Sequence, residues 1–129
     1  MIDFKNGTYI KLKQVGYNHV QDMITPILIR DEEIISSYKG IRDFVVFTNK
    51  RIIAVNVQGI TGTKKDFTSL PYSKIQAYSA ETAGAGERFT WTGDSELELY
   101  FSGLGKVKFE FTCNSNILQI CELISEYVL

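Results

Sequence analysis

The chain has 129 residues, with 14 Lys+Arg against 15 Asp+Glu, a single His and a formal net charge of −1. Its length fits one domain, and its 44% hydrophobic and 22% charged residues exclude a disordered chain. The near-neutral charge argues against nucleic acid as a partner, which needs a net basic face. One His and two Cys exclude most metal centres, most His-dependent catalysis and a secreted disulfide framework. By subtraction the composition points to a binding or assembly module, not an enzyme, with no cofactor.

The first residues, Met1-Ile2-Asp3-Phe4-Lys5, carry charge where a signal peptide places its apolar core. The longest apolar runs, such as Phe44 to Phe47, are far shorter than a membrane span. The expected location is therefore cytoplasmic, where Cys113 and Cys121 read as small buried hydrophobes. Asn6-Gly7 reads as a tight turn within a hairpin over residues 2–13. Residues 1–17 form an N-terminal extension, and 18–30 a segment with one short helix. Val20, Met23, Ile24, Ile27 and Leu28 recur there at helical spacing. Asn18 and Gln21 have the form of a capping box, Pro26 weakens the helix near its middle, and His19 reads as a solvated imidazole.

From residue 33 to 112 the chain reads as seven short strands, at about 33–39, 43–48, 51–58, 64–70, 74–82, 95–102 and 106–112. β-branched and aromatic residues fill them, and Gly, Asn, Asp and Ser punctuate. In the last two, Leu97, Leu99 and Phe101 alternate with Glu96, Glu98 and Tyr100. Val107, Phe109 and Phe111 alternate with Lys106, Lys108 and Glu110. The apolar sets share a face only across an odd loop, which Gly103-Leu104-Gly105 supplies. That register sets Phe101 opposite Val107 and Glu98 opposite Glu110. A helix over 115–128 follows, capped by Asn114 or Ser115, with a stripe of Ile117, Ile120, Cys121, Ile124 and Val128.

The hairpin through Asn49-Lys50 differs. Pairing Phe47 with Ile52 puts Val45, Phe47, Ile52 and Ala54 on one face and Phe44, Val46, Ile53 and Val55 on the other. Both faces are apolar, so something must cover the second. The N-terminal helix is one cover. A second copy of the chain is the favoured one, which makes Phe44, Val46, Ile53 and Val55 the candidate oligomer interface.

Few constellations carry chemistry. Gly59-Ile60-Thr61-Gly62-Thr63-Lys64 lacks the Gly-Lys-Ser/Thr order of a phosphate loop and reads as a strand-to-strand turn. Gly84-Ala85-Gly86-Glu87 fails for the same reason. Ser73 and Lys74 are adjacent on a strand and point to opposite faces, so Lys74 does not activate Ser73. Glu81 and Asp94 pair only if the intervening loop folds back. Basic clusters stand at Lys39/Arg42, Lys50-Arg51 and Lys64-Lys65. They read as solvated edges or, more sharply, as an anionic-headgroup site for which Lys39, Arg42, Lys50 and Arg51 are the candidates. Asp43 and Asp66 reduce the local potential. Arg88, Phe89 and Trp91 form a candidate contact loop.

Seven short strands and one C-terminal amphipathic helix follow the pleckstrin-homology (PH) order. The run Lys39-Gly40-Ile41-Arg42-Asp43-Phe44-Val45-Val46-Phe47-Thr48-Asn49-Lys50-Arg51-Ile52-Ile53 resembles the signature of the bacterial PH domain family. So do Gln58-Gly59-Ile60-Thr61-Gly62, Leu70-Pro71-Tyr72-Ser73-Lys74-Ile75 and Glu81-Thr82-Ala83-Gly84. The likeness covers roughly residues 18–129 and is strongest over 39–84. It implies a mainly β fold over the whole of 1–129, a PH-like barrel of two nearly orthogonal antiparallel sheets over 33–112 capped by the 115–128 helix. It also implies homo-oligomers, ring-like in comparable members, and no established enzymatic activity. The stretch 85–93 is longer than the usual family connection. Lys39 and Arg42 lie where phosphoinositide-binding PH domains of eukaryotes place basic residues around their first hairpin. The expected partner is thus a second copy of the chain, or another protein on such a scaffold, and the alternative is an anionic membrane surface.

Overall fold

The computed structural model describes residues 2, 4, 11–81, 95–112 and 117–129. Among the described residues there are eight strands: β1 (Lys13–Val15), β2 (Ile34–Lys39), β3 (Asp43–Thr48), β4 (Arg51–Gln58), β5 (Lys64–Pro71), β6 (Ile75–Glu81), β7 (Ser95–Phe101) and β8 (Gly105–Phe111). They form a five-stranded sheet in the order β1-β2-β3-β4-β5 and a three-stranded sheet β6-β7-β8, every strand pair antiparallel. The seven expected strands are all found, and β1 is additional. It takes β2 as its partner, while Leu12, just before it, bridges to Phe111 of β8. The Asn6-Gly7 turn lies outside the described residues.

The core lies between the sheets. Val45, Phe47, Ile52, Ala54 and Leu70 from the first face Leu97, Leu99, Val107, Phe109 and Phe111 from the second. Tyr38 meets Phe47 and Phe111 edge-on, with centroids 5.7 and 4.9 Å away. The C-terminal helix spans Ile117–Val128 and buries Ile117, Ile120 and Ile124 on the core, as the stripe predicts. Its fastenings are polar and aromatic. Tyr127 stacks on Tyr72 at 5.0 Å, the Tyr72 hydroxyl donates to the Thr48 carbonyl at 2.7 Å, and the Tyr78 hydroxyl bonds Ser125 Oγ. Cys121 is a half-buried free thiol whose pKa burial pushes up. Cys113, Asn114 and Ser115 lie outside the described residues.

The β3–β4 register is the expected one, with Phe47 opposite Ile52 and Phe44 opposite Val55. Its outer face, however, is covered from within the chain. Val20 and Ile24 pack on Val46, Ile53 and Val55, with Met23, Ile27, Leu28, Ile34 and Phe44 around them. Val46 and Val55 are 0% exposed and Ile53 1%, so these residues offer no surface to a second copy. Of the expected oligomer-interface residues Phe44, Val46, Ile53 and Val55, the last three therefore lie beneath the chain's own cover, while Phe44 stays partly exposed at its margin. The cover is a chain of short turns, a 3-10 turn at Tyr17–His19, the helix α1 (Gln21–Ile24) and a 3-10 turn at Thr25–Ile27. Burying each large side chain contributes about 1.5–3 kcal/mol, which holds this poorly regular segment in place. Pro26 sits in the first turn of the second 3-10 segment, where its missing N–H costs nothing. The Asn18 side chain caps neither helix start, and His19 is exposed.

Two further expectations change. In the last hairpin Phe101 stands opposite Gly105 and Leu99 opposite Val107, two residues from the expected register. The odd loop and the shared apolar face survive, since a shift of two preserves both. Glu98 now faces Lys108 instead of Glu110, and Lys108 Nζ reaches Glu96 at 3.3 Å. Ser73 and Lys74 belong to a 3-10 turn, Tyr72–Lys74, rather than to a strand.

Candidate functional site

The basic residues separate to opposite ends of β3 and β4. Six residues of β3 divide them, about 20 Å of extended chain. At the Asn49-Lys50 turn, Arg51 is built into the fold. Its Nε donates to Glu32 Oε2 at 2.9 Å, and its Nη2 to Glu32 Oε1 at 3.0 Å and to the Ile27 carbonyl at 2.8 Å. Thr48 Oγ1 adds a 2.7 Å bond to Glu32 Oε2, and Ile29 N donates to Oε1. The Glu32 side chain is fully buried. Burial alone would raise its pKa, but the hydrogen bonds from Arg51, Thr48 and Ile29 and the Arg51 charge reverse that, and it is lowered. Arg51 thus pins the 27–32 segment to the hairpin. It is a structural cation, which removes it from the headgroup set. Lys50 is exposed beside it.

The other end gathers the loops at 40–42 and 59–63. Arg42 ties them, its Nη2 donating to the Gly59 carbonyl at 2.5 Å and its own carbonyl accepting from Val57 N at 3.0 Å. Gly62 N donates back to the same Gly59 carbonyl at 3.3 Å, closing a four-residue turn. Gly59 and Gly62 have φ of +82° and +69°, which only glycine adopts at little cost. Around this end Lys39, Arg42, Lys64 and Lys65 are all exposed. Lys39 Nζ lies 5.8 Å from the centroid of the Phe44 ring. The nearby acid Asp43 is buried and accepts from Asn56 Nδ2 at 2.6 Å. Burial raises its pKa, with Asn56 and Arg42 opposing. Beside the 59–63 loop, a cleft of about 510 Å³ is lined by Asp22, Met23, Thr63, Lys65 and Phe67.

The structure thus brings Lys39 and Arg42 together, sets Lys50 and Arg51 apart from them, and supplies Lys64 and Lys65 in their place. Two residues at this end escaped sequence reasoning. Ile41 is 82% exposed and Ile60 103%. The available signal was a β-branched apolar residue inside each glycine turn, where polar residues are usual. Arg88, Phe89, Trp91 and Asp94 lie outside the described residues. Among the described residues no cluster of His, Cys, Asp and Glu has the makings of a metal site, and no helix is long and apolar enough to cross a membrane.

Comparison with known proteins accords with this geometry. A family model described as "Bacterial PH domain" matches residues 3–128. The uncharacterised protein YjqA of Bacillus subtilis strain 168 is 41% identical over 108 residues, 82% of either chain. The chain superimposes on a DUF1696-family protein with a pleckstrin-homology domain from Shewanella loihica PV-4. The TM-score is 0.76 at 31% identity, over 93% of this chain and 99% of that one. A pleckstrin homology domain from Shewanella amazonensis SB2B gives 0.64 at 35% identity, over 89% and 90%. Fold, strand order and sequence agree, and the chain belongs to the bacterial PH domain family.

Proposed function

We propose that this protein is a non-catalytic module that docks on an anionic membrane surface with the end of its five-stranded sheet. The observation that carries this reading is the Arg42 tie, which collects Lys39, Arg42, Lys64 and Lys65 at two linked loops. These exposed cations sit on a chain whose net charge is −1, so the positive field is local to that end. Each cation near an anionic leaflet contributes about 1 kcal/mol, and salt weakens it. A cytoplasmic setting would suit this role, because the cytoplasmic leaflet is the anionic one. Sedimentation with vesicles of phosphatidylcholine, with and without phosphatidylserine, tests it. Binding is expected only with phosphatidylserine and falls with added salt. Lys39→Gln with Lys64→Gln weakens it about thirtyfold, and Lys50→Gln leaves it unchanged. Equal pelleting with both vesicles, or a double variant that binds like the wild type, overturns the reading.

A second reading, self-assembly into a scaffold or protein-binding platform, draws on β6. Among the described residues this strand pairs on one side only, with β7. It exposes Gln76, Ala77, Ser79 and Ala80, with no Lys or Pro to block edge pairing. By contrast the outer strand β5 carries Lys64, Lys65 and Pro71. Light scattering at micromolar concentration decides it, and a clean monomer excludes it.

A further inference from the structure

Exposed aliphatic side chains scattered singly need no explanation. Ile41 and Ile60 are not scattered. Each is the sequence neighbour of one partner in the Arg42–Gly59 hydrogen bond, so a single tie holds both at one end of the sheet. Ile60 occupies the second position of the turn closed by Gly62 N and the Gly59 carbonyl, which sets it at the apex. Thr61 and Thr63 bond each other at 3.0 Å, and Lys65 Nζ lies 3.5 Å from the Gly62 carbonyl, so the loop is ordered beneath it. Two loops therefore present strongly exposed isoleucines, with the exposed cations Lys39, Arg42, Lys64 and Lys65 on the same loops and the strand ends that adjoin them. The other strongly exposed hydrophobics lack this setting. Ile29 lies in the segment pinned by Glu32 and Arg51, and Leu118 and Leu129 belong to the C-terminal helix and its end.

We infer that Ile41 and Ile60 form a two-pronged tip that inserts into the acyl boundary of an anionic bilayer while the four cations engage its headgroups. This rests on the membrane reading above and adds an apolar contribution to it. Charge alone gives binding that salt removes, whereas buried apolar area gives a part that salt leaves in place. Lysine suits the collar, because its alkyl stem lies along apolar surface while its ammonium stays at the phosphate level. A soluble anion would use the cations and leave the isoleucines in water.

The test compares the wild type with Ile41→Ser/Ile60→Ser on phosphatidylcholine–phosphatidylserine vesicles at low and high salt. Circular dichroism melts check that these loop variants remain folded. The double variant is expected to bind at least tenfold more weakly and to lose its salt-resistant fraction. In Ile60→Trp, fluorescence above the wild-type background is expected to shift blue on vesicle binding and to be quenched by lipids brominated high on the acyl chain. If the wild type binds and the double variant binds equally, insertion is overturned while surface docking stands. An unquenched Ile60→Trp has the same meaning. If the wild type binds neither vesicle, both fall.

Discussion

Arg42 and Arg51 stand at opposite ends of the same pair of strands and do opposite work. Arg51 is half-buried and fully engaged, with Glu32, Ile27 and Ser69 as its partners. Arg42 is exposed and spends one hydrogen bond on a loop carbonyl. The difference lies in what faces each of them. Glu32 arrives at one end on the segment that covers the sheet, and its burial makes a bonded cation obligatory. The other end meets two glycine turns whose apices are apolar and whose flanks are cationic. One end closes the fold, and the other is the end that the proposed docking would use.

The sharpest way to break that contrast is Arg51→Ala. It leaves the Glu32 carboxylate buried without its cation and is expected to cost about 4 kcal/mol in urea denaturation. Glu32→Gln in the Arg51→Ala background is expected to recover part of that. A loss within the range of a surface substitution would show that the pair is incidental. A smaller effect is a pH dependence. The lowered Glu32 pKa stabilises the fold above its ordinary value of 4.5, and this is lost as pH falls through the folded-state value. Asp43 has the opposite sign, since its raised pKa disfavours the folded state once it ionises, so its protonation offsets part of the acid loss. Denaturation midpoints measured from neutral to acid pH are expected to fall less steeply in Glu32→Gln than in the wild type. Equal slopes would remove Glu32 as their source. The smallest effect is Arg42→Ala. It removes one exposed hydrogen bond and is expected to cost about 1 kcal/mol or less by thermal melting. A loss matching that of Arg51→Ala would mean that the two ends are built alike.

Residue alternation made the strands and the β3–β4 register legible, because Asn49-Lys50 leaves one way to pair Phe47 with Ile52. It set the parity of the last hairpin but not its register. Gly103 and Gly105 both adopt positive φ, and the three-residue loop, moved one residue back to 102–104, seats Glu98 against Lys108. The sequence also carried the stripe that covers the outer face, in Val20, Met23, Ile24, Ile27 and Leu28. It did not say that this stripe and Val46, Ile53 and Val55 are each other's partners. β1 has three residues, too few for a pattern, and its Lys13 faces Lys39. The Glu32–Arg51 pair spans strands with no local spacing to mark it. The basic clusters were visible one by one, but only the topology of the sheet could sort them into two ends.

The bridge between Leu12 and Phe111 bears on the order of assembly. β2 to β5 form a meander of sequential neighbours, each strand pairing with the next, so this half has only short loops to close. Leu12, fully buried, has its backbone partners in Glu110 and at Thr112 and its side chain in the core between the sheets. During synthesis that seat does not exist until β8 has left the ribosome. The N-terminal stretch must wait through most of translation, and its docking is a late, non-local step that slows completion of the fold.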